Sequence, residues 1–405
     1  MSESRATKPK PYTFYDQYGN NYMPPVGPVA LVPLRGSSEM VERINRHLYE
    51  RRKAYRLDEQ RVDPSFLRED YRVQPEMARY ETGEGRCILR DSVRGHDIFI
   101  VVDVLNHSIH YKLFGQTKYM SPDEHYQDLK RAILALSGKA RRVNVIMPFL
   151  YDSRQHHRNG RESLDCAFML EELQAMGVSN IFTFDAHDPR VSNSIPMSGF
   201  ENIPPTYQFV KALARTMPEL EPYNNNLMII SPDEGALTRS MYYSSVLGSP
   251  LGTFYKRRDY TRIVDGRNPI LKHEFLGDSA EGKDVLIIDD MIASGDSMLD
   301  ICRSMKELGA RNVYCAATFG LFTSGLDRFN QAYEQGLLSR VFTTNLIYCS
   351  PELKAAPWYH EVDMSKFIAL LVDAVTHDSS LSSFSSPTEK IEQFFARRQQ
   401  ESPKA

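Results

Sequence analysis

This chain of 405 residues is marked first by what it lacks. It has no basic excess; a formal charge of -3 gives no surface on which a general nucleic-acid binder could be built, so no nucleic-acid partner is expected. No apolar run approaches the ~20 residues that span a bilayer, so no membrane partner is expected either. The N-terminus, with Lys8, Lys10 and several tyrosines and prolines, lacks the apolar core of a signal peptide. Cysteine is scarce and odd in number: Cys87, Cys166, Cys302, Cys315 and Cys349 show no CxxC spacing. Cys166, Cys302 and Cys315 sit inside apolar patterns and read as reduced core residues, not disulfides or zinc ligands. The expected compartment is the cytoplasm. What remains is ordinary globular composition, 41% hydrophobic and 25% charged, in a chain long enough for two α/β domains.

The most informative stretch runs from Val285 to Met298. Its apolar start, Val285–Ile288, reads as a strand covered on both faces. Asp289 and Asp290 follow at the carboxyl end, where open α/β sheets place ligands. Ala293, Ser294, Gly295, Asp296 and Ser297 then offer backbone N–H groups, hydroxyls and a helix mouth, the electrostatics a phosphate needs. Two acids beside such a cradle suggest a ligand with a phosphate and a diol, such as a sugar phosphate. An Asx-turn capping a helix would leave the same trace.

Two segments of the chain are built alike. Val143–Met147 reads as a strand, Ser163–Met176 as a helix stopped by Gly177, and Ile181–His187 as the next strand and its exit. Likewise Val285–Ile288 is followed by a helical face of Met298, Ile301, Cys302, Met305 and Leu308. Gly309 stops that helix, and Val313–Thr318 is the next strand. Both are βαβ units with a glycine after the helix. The expected architecture is therefore two similar α/β domains, each a mostly parallel sheet flanked by helices. The first would run over residues 27–200 and the second over 201–377. Residues 1–26 read as an N-terminal extension, and 378–405 as a serine-rich tail with a short amphipathic helix. Ile391, Phe394 and Phe395 share one face of that helix, which suits packing on the body or on another subunit. The stretches Asp58–Thr82 and Asn106–Met120 read as insertions, and Asp378–Ser386 as mobile or draped.

Four further polar clusters fall at strand ends. His187, within Phe184–Arg190, could ligate a divalent ion or be a hydrogen-bonded structural histidine. Asp233, after the strand-like Ile229–Ser231, could be a metal ligand or a helix N-cap. The donor-rich Tyr151–Arg161 suits a polyphosphate, or is a solvated loop. Lys256, Arg257 and Arg258 repel one another unless an anion arrives, although an exposed basic hairpin would look the same. Taken together, these are the parts of an enzyme that moves phosphoryl groups.

The set resembles the ribose-phosphate pyrophosphokinase family, also called phosphoribosyl pyrophosphate synthetases. The resemblance rests on Asp91–Asp97, Arg154-Gln155, Asp185-Ala-His187, Ser231-Pro-Asp233, Lys256–Arg258 and Asp289–Ser297, in that order along the chain. It implies two phosphoribosyltransferase-like domains and transfer of the diphosphate of ATP to the anomeric hydroxyl of ribose 5-phosphate, releasing AMP. It further implies that Asp289 and Asp290 hold the ribose hydroxyls, while Ala293 to Ser297 form the loop around the 5-phosphate. Lys256 and Arg258 would stabilise charge on the transferring diphosphate, and His187 and Asp233 would be Mg2+ ligands. Arg154 and Gln155 would bind ATP, with Tyr80 and Glu84 reaching the nucleotide from a neighbouring subunit of a homo-oligomer.

Several positions depart from the family's commonest pattern. Ala293 replaces an acid, Asp296 stands where glycine is common, and His156 and His157 replace an acid and a base. Tyr80 stands in for phenylalanine and Thr82 for a polar or acidic contact. Asp296 should weaken phosphate binding unless its carboxylate turns away to cap the helix. Two alternatives share some of these motifs: a phosphoribosyltransferase, and a non-catalytic regulatory paralogue of the synthetase.

Overall fold

The computed structural model describes residues 24–54, 65–217, 226–258 and 270–401, with two short strand pieces, Phe14–Tyr15 and Asn21–Tyr22. The side chains of residues 256–258, 270–273 and 399–401 fall outside that description.

Two sheets carry the fold. In the first, Gly199–Ile203, Asn180–Phe184, Arg142–Ile146, Asp97–Val101 and Val29–Pro33 lie side by side in that order, every neighbouring pair parallel. In the second the order is Ile270–Leu276, Leu251–Arg258, Leu227–Ser231, Asp284–Ile292, Asn312–Gly320, Arg340–Thr344 and Tyr359–Val362. Its first pair is antiparallel and the rest are parallel. The two βαβ units sit where the sequence pattern puts them, with helices at Asp165–Ala175 and Asp296–Glu307. Gly177 and Gly309 both take φ 86°, the left-handed conformation that glycine adopts without a Cβ clash. Each helix closes the same way: Val178 N–H donates to Leu173 O at 3.1 Å and Ala310 N–H to Met305 O at 3.0 Å.

Side-chain alternation divides the second sheet's core. Met228, Ile230, Val285, Ile287, Val313, Cys315 and Val341 pack on one face in a cluster of their own. Their neighbours Ile229, Leu286, Ile288, Tyr314, Ala316 and Phe342 face the other way, into one continuous core with the first sheet. Parallel strands buried on both faces must be apolar throughout, which is why these runs do not alternate with polar residues.

The two halves interlock. The strand Gly199–Ile203 belongs to the first sheet, so the boundary expected after Phe200 falls inside a strand. The helix Ser365–Thr376, expected in the second half, packs instead on Ser38–Lys53 of the first. Asp373 binds both arginines at the end of that helix, Arg52 Nε at 3.0 Å and Arg51 Nε at 2.7 Å. Arg52 is almost wholly buried and also donates to Phe66 O at 3.1 Å.

The described part of the first expected insertion begins along the first sheet, with Leu31 bonded to Tyr71 and Val73, and only then enters an antiparallel hairpin, Pro75–Arg79 with Gly85–Leu89. The second forms the hairpin of His110–Leu113 with Gln116–Tyr119. The serine-rich segment is draped: Phe384 is buried against Phe367, and Asp378 pairs with Arg142 at 2.7 Å. The terminal helix Thr388–Glu401 docks on helices of its own chain with Ile391 and Phe395 buried, the packing role its stripe suggested. All five cysteines are free. No helix among the described residues is long and apolar enough to cross a membrane.

Removing one partner of a buried ion pair leaves the other charge stranded at about 3–5 kcal/mol. Asp373→Ala should therefore lower the urea midpoint strongly, and a midpoint equal to wild type would rule out the clamp between the two helices.

Candidate active site between two sheets

The carboxyl ends of the two sheets face one another, and the polar residues collect there. Asp290, at the end of Asp284–Ile292, accepts through Oδ2 from His187 Nδ1–H at 2.7 Å, bridging the second sheet to the first. Asp185, two residues before His187, is held in the left-handed region at φ 45°, which a non-glycine residue occupies only under constraint. The constraint is visible. Arg239 Nε donates to both Asp185 oxygens at 3.0 Å, Nη2 adds a bond at 2.9 Å, and Thr318 Oγ1 donates at 2.6 Å. Arg239 Nη1 lies 3.9 Å from Asp289 as well. One guanidinium thus sits among three carboxylates drawn from both sheets.

These contacts sort the charges. Burial and the adjacent Asp290 push Asp289 up to about 8, against the pull of Arg239. Asp290 is buried too, yet its bond to His187 and the Arg239 charge hold it below the usual carboxylate range. His187 is raised by its bond to Asp290, against burial. The two acids are thus biased apart, Asp289 towards its neutral form and Asp290 towards its charged form.

The loop after the acids follows the expected form. Gly295 takes φ 87° as the N-cap of Asp296–Glu307, and a Cβ there would collide with the Phe329 ring, so this position is closed to other residues. Ser294 Oγ accepts from Asp296 N–H at 3.4 Å, and Thr323 N–H donates to Ala293 O at 2.9 Å, fixing the loop at both ends. Ser297 is exposed on the first turn. Asp296 does turn away from the loop, but onto Arg328 of the following helix, not onto its own helix end.

The other expected residues are placed unequally. Arg154 reaches the acidic loop, with Nη2 2.7 Å from Met291 Sδ. Gln155 is committed to its own loop through Ser163 O at 2.8 Å. His156 packs edge-on to His187 with ring centroids 5.3 Å apart and lies 3.5 Å from Asp188. Asp233 lies one strand over and accepts from Gly235 N–H at 3.0 Å and Ala236 N–H at 3.3 Å, closing a turn just before the helix Leu237–Leu247, whose N-cap is Ala236. Lys256 and Arg258 have described backbones but undescribed side chains. Their strand pairs with Leu227–Ser231 only through Thr253 and continues as a two-stranded ribbon with Ile270–Leu276. Tyr80 and Glu84 lie on the tip of the hairpin Pro75–Leu89 and meet none of these groups in the described contacts. Sequence reasoning missed the roles of Arg239, Asp185 and Thr318. No local pattern could reveal them, because the partners lie 54 and 133 positions apart.

Comparisons with known proteins agree with this geometry. Residues 29–177 match the N-terminal domain of ribose phosphate pyrophosphokinase, and residues 199–334 match the phosphoribosyl transferase domain, together more than half of the chain. The chain belongs to the ribose-phosphate pyrophosphokinase family. It is 28% identical over 312 residues to the ribose-phosphate pyrophosphokinase of Mycoplasma pneumoniae, covering 75% of this chain and 85% of that one. For the Vibrio cholerae protein of the same name the figures are 23%, 76% and 89%. The crystal structure of phosphoribosylpyrophosphate synthetase from Mycobacterium smegmatis superposes with a TM-score of 0.68 at 19% identity, over 87% of this chain and 99% of that one. A pyrophosphokinase-family chain of two phosphoribosyltransferase-like domains therefore has its acids at their junction.

A carboxyl group whose folded pKa lies above its unfolded value stabilises the fold fully below the unfolded pKa and loses that contribution as pH rises through the folded one. For Asp289 the window runs from its ordinary acidic range to about 8. Asp289→Asn, neutral throughout, should gain on wild type between pH 5 and pH 9 in metal-free urea titrations. A difference that stays flat or shrinks over that range would show that the carboxyl is not held protonated.

Proposed function

We propose that this chain is a cytoplasmic ribose-phosphate diphosphokinase, transferring the diphosphate of ATP to the anomeric hydroxyl of ribose 5-phosphate. The observation that carries the reading is the meeting of two half-sites. A sugar-phosphate loop with two acids, from the second sheet, faces Arg154 and His187 from the first. The pyrophosphokinase names of the relatives support it, and five free cysteines suit a reducing compartment.

In the reaction the anomeric oxygen forms a bond to the β-phosphorus. The bond from that phosphorus to the bridging oxygen breaks, and its electron pair leaves on AMP. The hydroxyl proton is released. Such transfers need positioning and charge neutralisation more than a covalent nucleophile. Asp289 and Asp290 orient the ribose hydroxyls from the end of the second sheet's strand Asp284–Ile292. Backbone N–H groups and hydroxyls from Ser294 to Ser297 hold the 5-phosphate at the positive end of a helix. With Asp296 drawn onto Arg328, its charge does not oppose that phosphate. Lys256 and Arg258, on the ribbon beyond the sheet, bring cations to the diphosphate as charge builds on AMP. Arg154 binds ATP, Gln155 shapes its loop, and Tyr80 and Glu84 serve a nucleotide on a neighbouring subunit of a homo-oligomer.

Magnesium fits as an ion shared with substrate phosphates. No group of three His, Cys, Asp or Glu among the described residues is arranged to enclose an ion alone. Mg2+ ordinarily needs only one or two protein ligands when phosphates supply the rest. His187, its Nδ1 fixed by Asp290, would offer Nε2, with Asp233 as the second candidate. When bound, the ion would neutralise charge on the phosphates.

AMP release from ATP, magnesium and ribose 5-phosphate tests the reading against both alternatives. A rate no higher than that of Lys256→Ala, itself expected to lose ~10²–10³-fold by analogy with one oxyanion donor, would exclude it. Asp290→Ala should mainly raise the KM for ribose 5-phosphate and Arg154→Ala that for ATP; equal effects on both substrates would contradict the two half-sites. Arg328→Ala frees Asp296 and should raise the KM for ribose 5-phosphate several-fold, with Arg328→Ala/Asp296→Gly restoring it. If the double variant stays impaired, Asp296 is not the source of the repulsion.

A further inference from the structure

The tip of the hairpin His110–Tyr119 is built against the usual rules of turns. Leu113 pairs with Gln116, so Phe114 and Gly115 form a two-residue loop, with φ 45° and 79°. Such loops favour Asn-Gly or Gly-Gly, because both positions need positive φ. A phenylalanine there bears a backbone strain of order 1–2 kcal/mol. Its ring is also 78% exposed, so burial returns nothing for that strain.

The conformation is held from outside the hairpin. Phe114 N–H donates to Glu81 O at 3.2 Å, on the neighbouring tip. At Gly83 a Cβ would stand 2.9 Å from Leu113 Cδ1, so the two tips touch closely. Tyr111 fastens the hairpin to the body through Glu124, at 2.5 Å. Phe114 is thereby fixed beside a tip that carries a second exposed ring, Tyr80, 51% exposed, with Arg86 5.9 Å from that ring's centroid. Glu84 on the same turn offers an exposed carboxylate. Two exposed rings on touching tips, with a guanidinium and an acid beside one of them, suit a flat heteroaromatic ring that bears an amino group.

We propose that Phe114 is a nucleobase contact, stacking with Tyr80 on the adenine of ATP held by a second copy of this chain. The described contacts of one chain bring neither tip to Arg154, His187 or the acid pair, which suits a nucleotide held by a second copy. The inference rests on the reading that Tyr80 and Glu84 serve the nucleotide, and adds a residue from an insertion to that site. The strained backbone at Phe114 is then the cost of aiming a ring outward where asparagine would fold more easily.

Phe114→Asn separates the two roles, since asparagine suits the turn and cannot stack. It should hold or raise the melting temperature, while the KM for ATP rises roughly 5- to 100-fold, the range for loss of one aromatic–base stack. The KM for ribose 5-phosphate should not move, and Phe114→Trp should retain the wild-type KM for ATP. Tyr80→Ala is run in parallel, with oligomer mass measured for every variant. An unchanged KM for ATP in Phe114→Asn overturns the proposal. If Tyr80→Ala still raises that KM, the reading of Tyr80 survives; if neither variant moves it, both fall. A change in oligomer mass with unchanged KM for ATP would also overturn the proposal, making the ring a subunit contact only.

Discussion

The site depends on one guanidinium. Asp185, Asp289 and Asp290 converge from two sheets on a half-buried junction, and carboxylates gathered there repel one another strongly. Arg239 stands among them, bound in forked geometry to Asp185 and within reach of Asp289. Burial works against its charge, but the surrounding acids hold it protonated, above its ordinary range. The left-handed backbone at Asp185, the bond from Thr318 and the pairing of His187 with Asp290 all lie around that anchor. Without it the two sheets would present like charges to each other.

With the cation in place, the acids are divided in function. Asp289 is pushed towards its neutral form and Asp290 towards its charged form, although the two residues are identical and adjacent. The same economy appears at Asp296, whose carboxylate would oppose a phosphate but is drawn onto Arg328 one helix away. At Asp296 a neighbour distant in sequence decides what the acid does.

The halves resemble each other in pattern yet are not separate bodies. A helix from the end of the second half lies on the first, fastened by Asp373 to Arg51 and Arg52, and one face of the second sheet shares the first sheet's core. A junction packed this way keeps the half-sites in fixed register, which in-line transfer demands. The insertions work at the opposite extreme: their hairpins carry the exposed rings of Tyr80, Phe114 and Tyr119.

Much of this was legible in the sequence. The βαβ units, their closing glycines, the apolar strands and the loop from Asp289 to Ser297 follow from local rules, since strand period, helix stops and phosphate cradles act over a few residues. The stripe of Ile391 and Phe395 also foretold its packing. Tertiary structure alone decided where Asp296 turned, that Ser365–Thr376 crosses to the first half, and that Arg239 holds the centre. Those outcomes are contests between charges, hydrogen bonds and packing faces brought together from distant positions. No window along the chain contains both contestants, so only the folded arrangement of the two sheets could settle them.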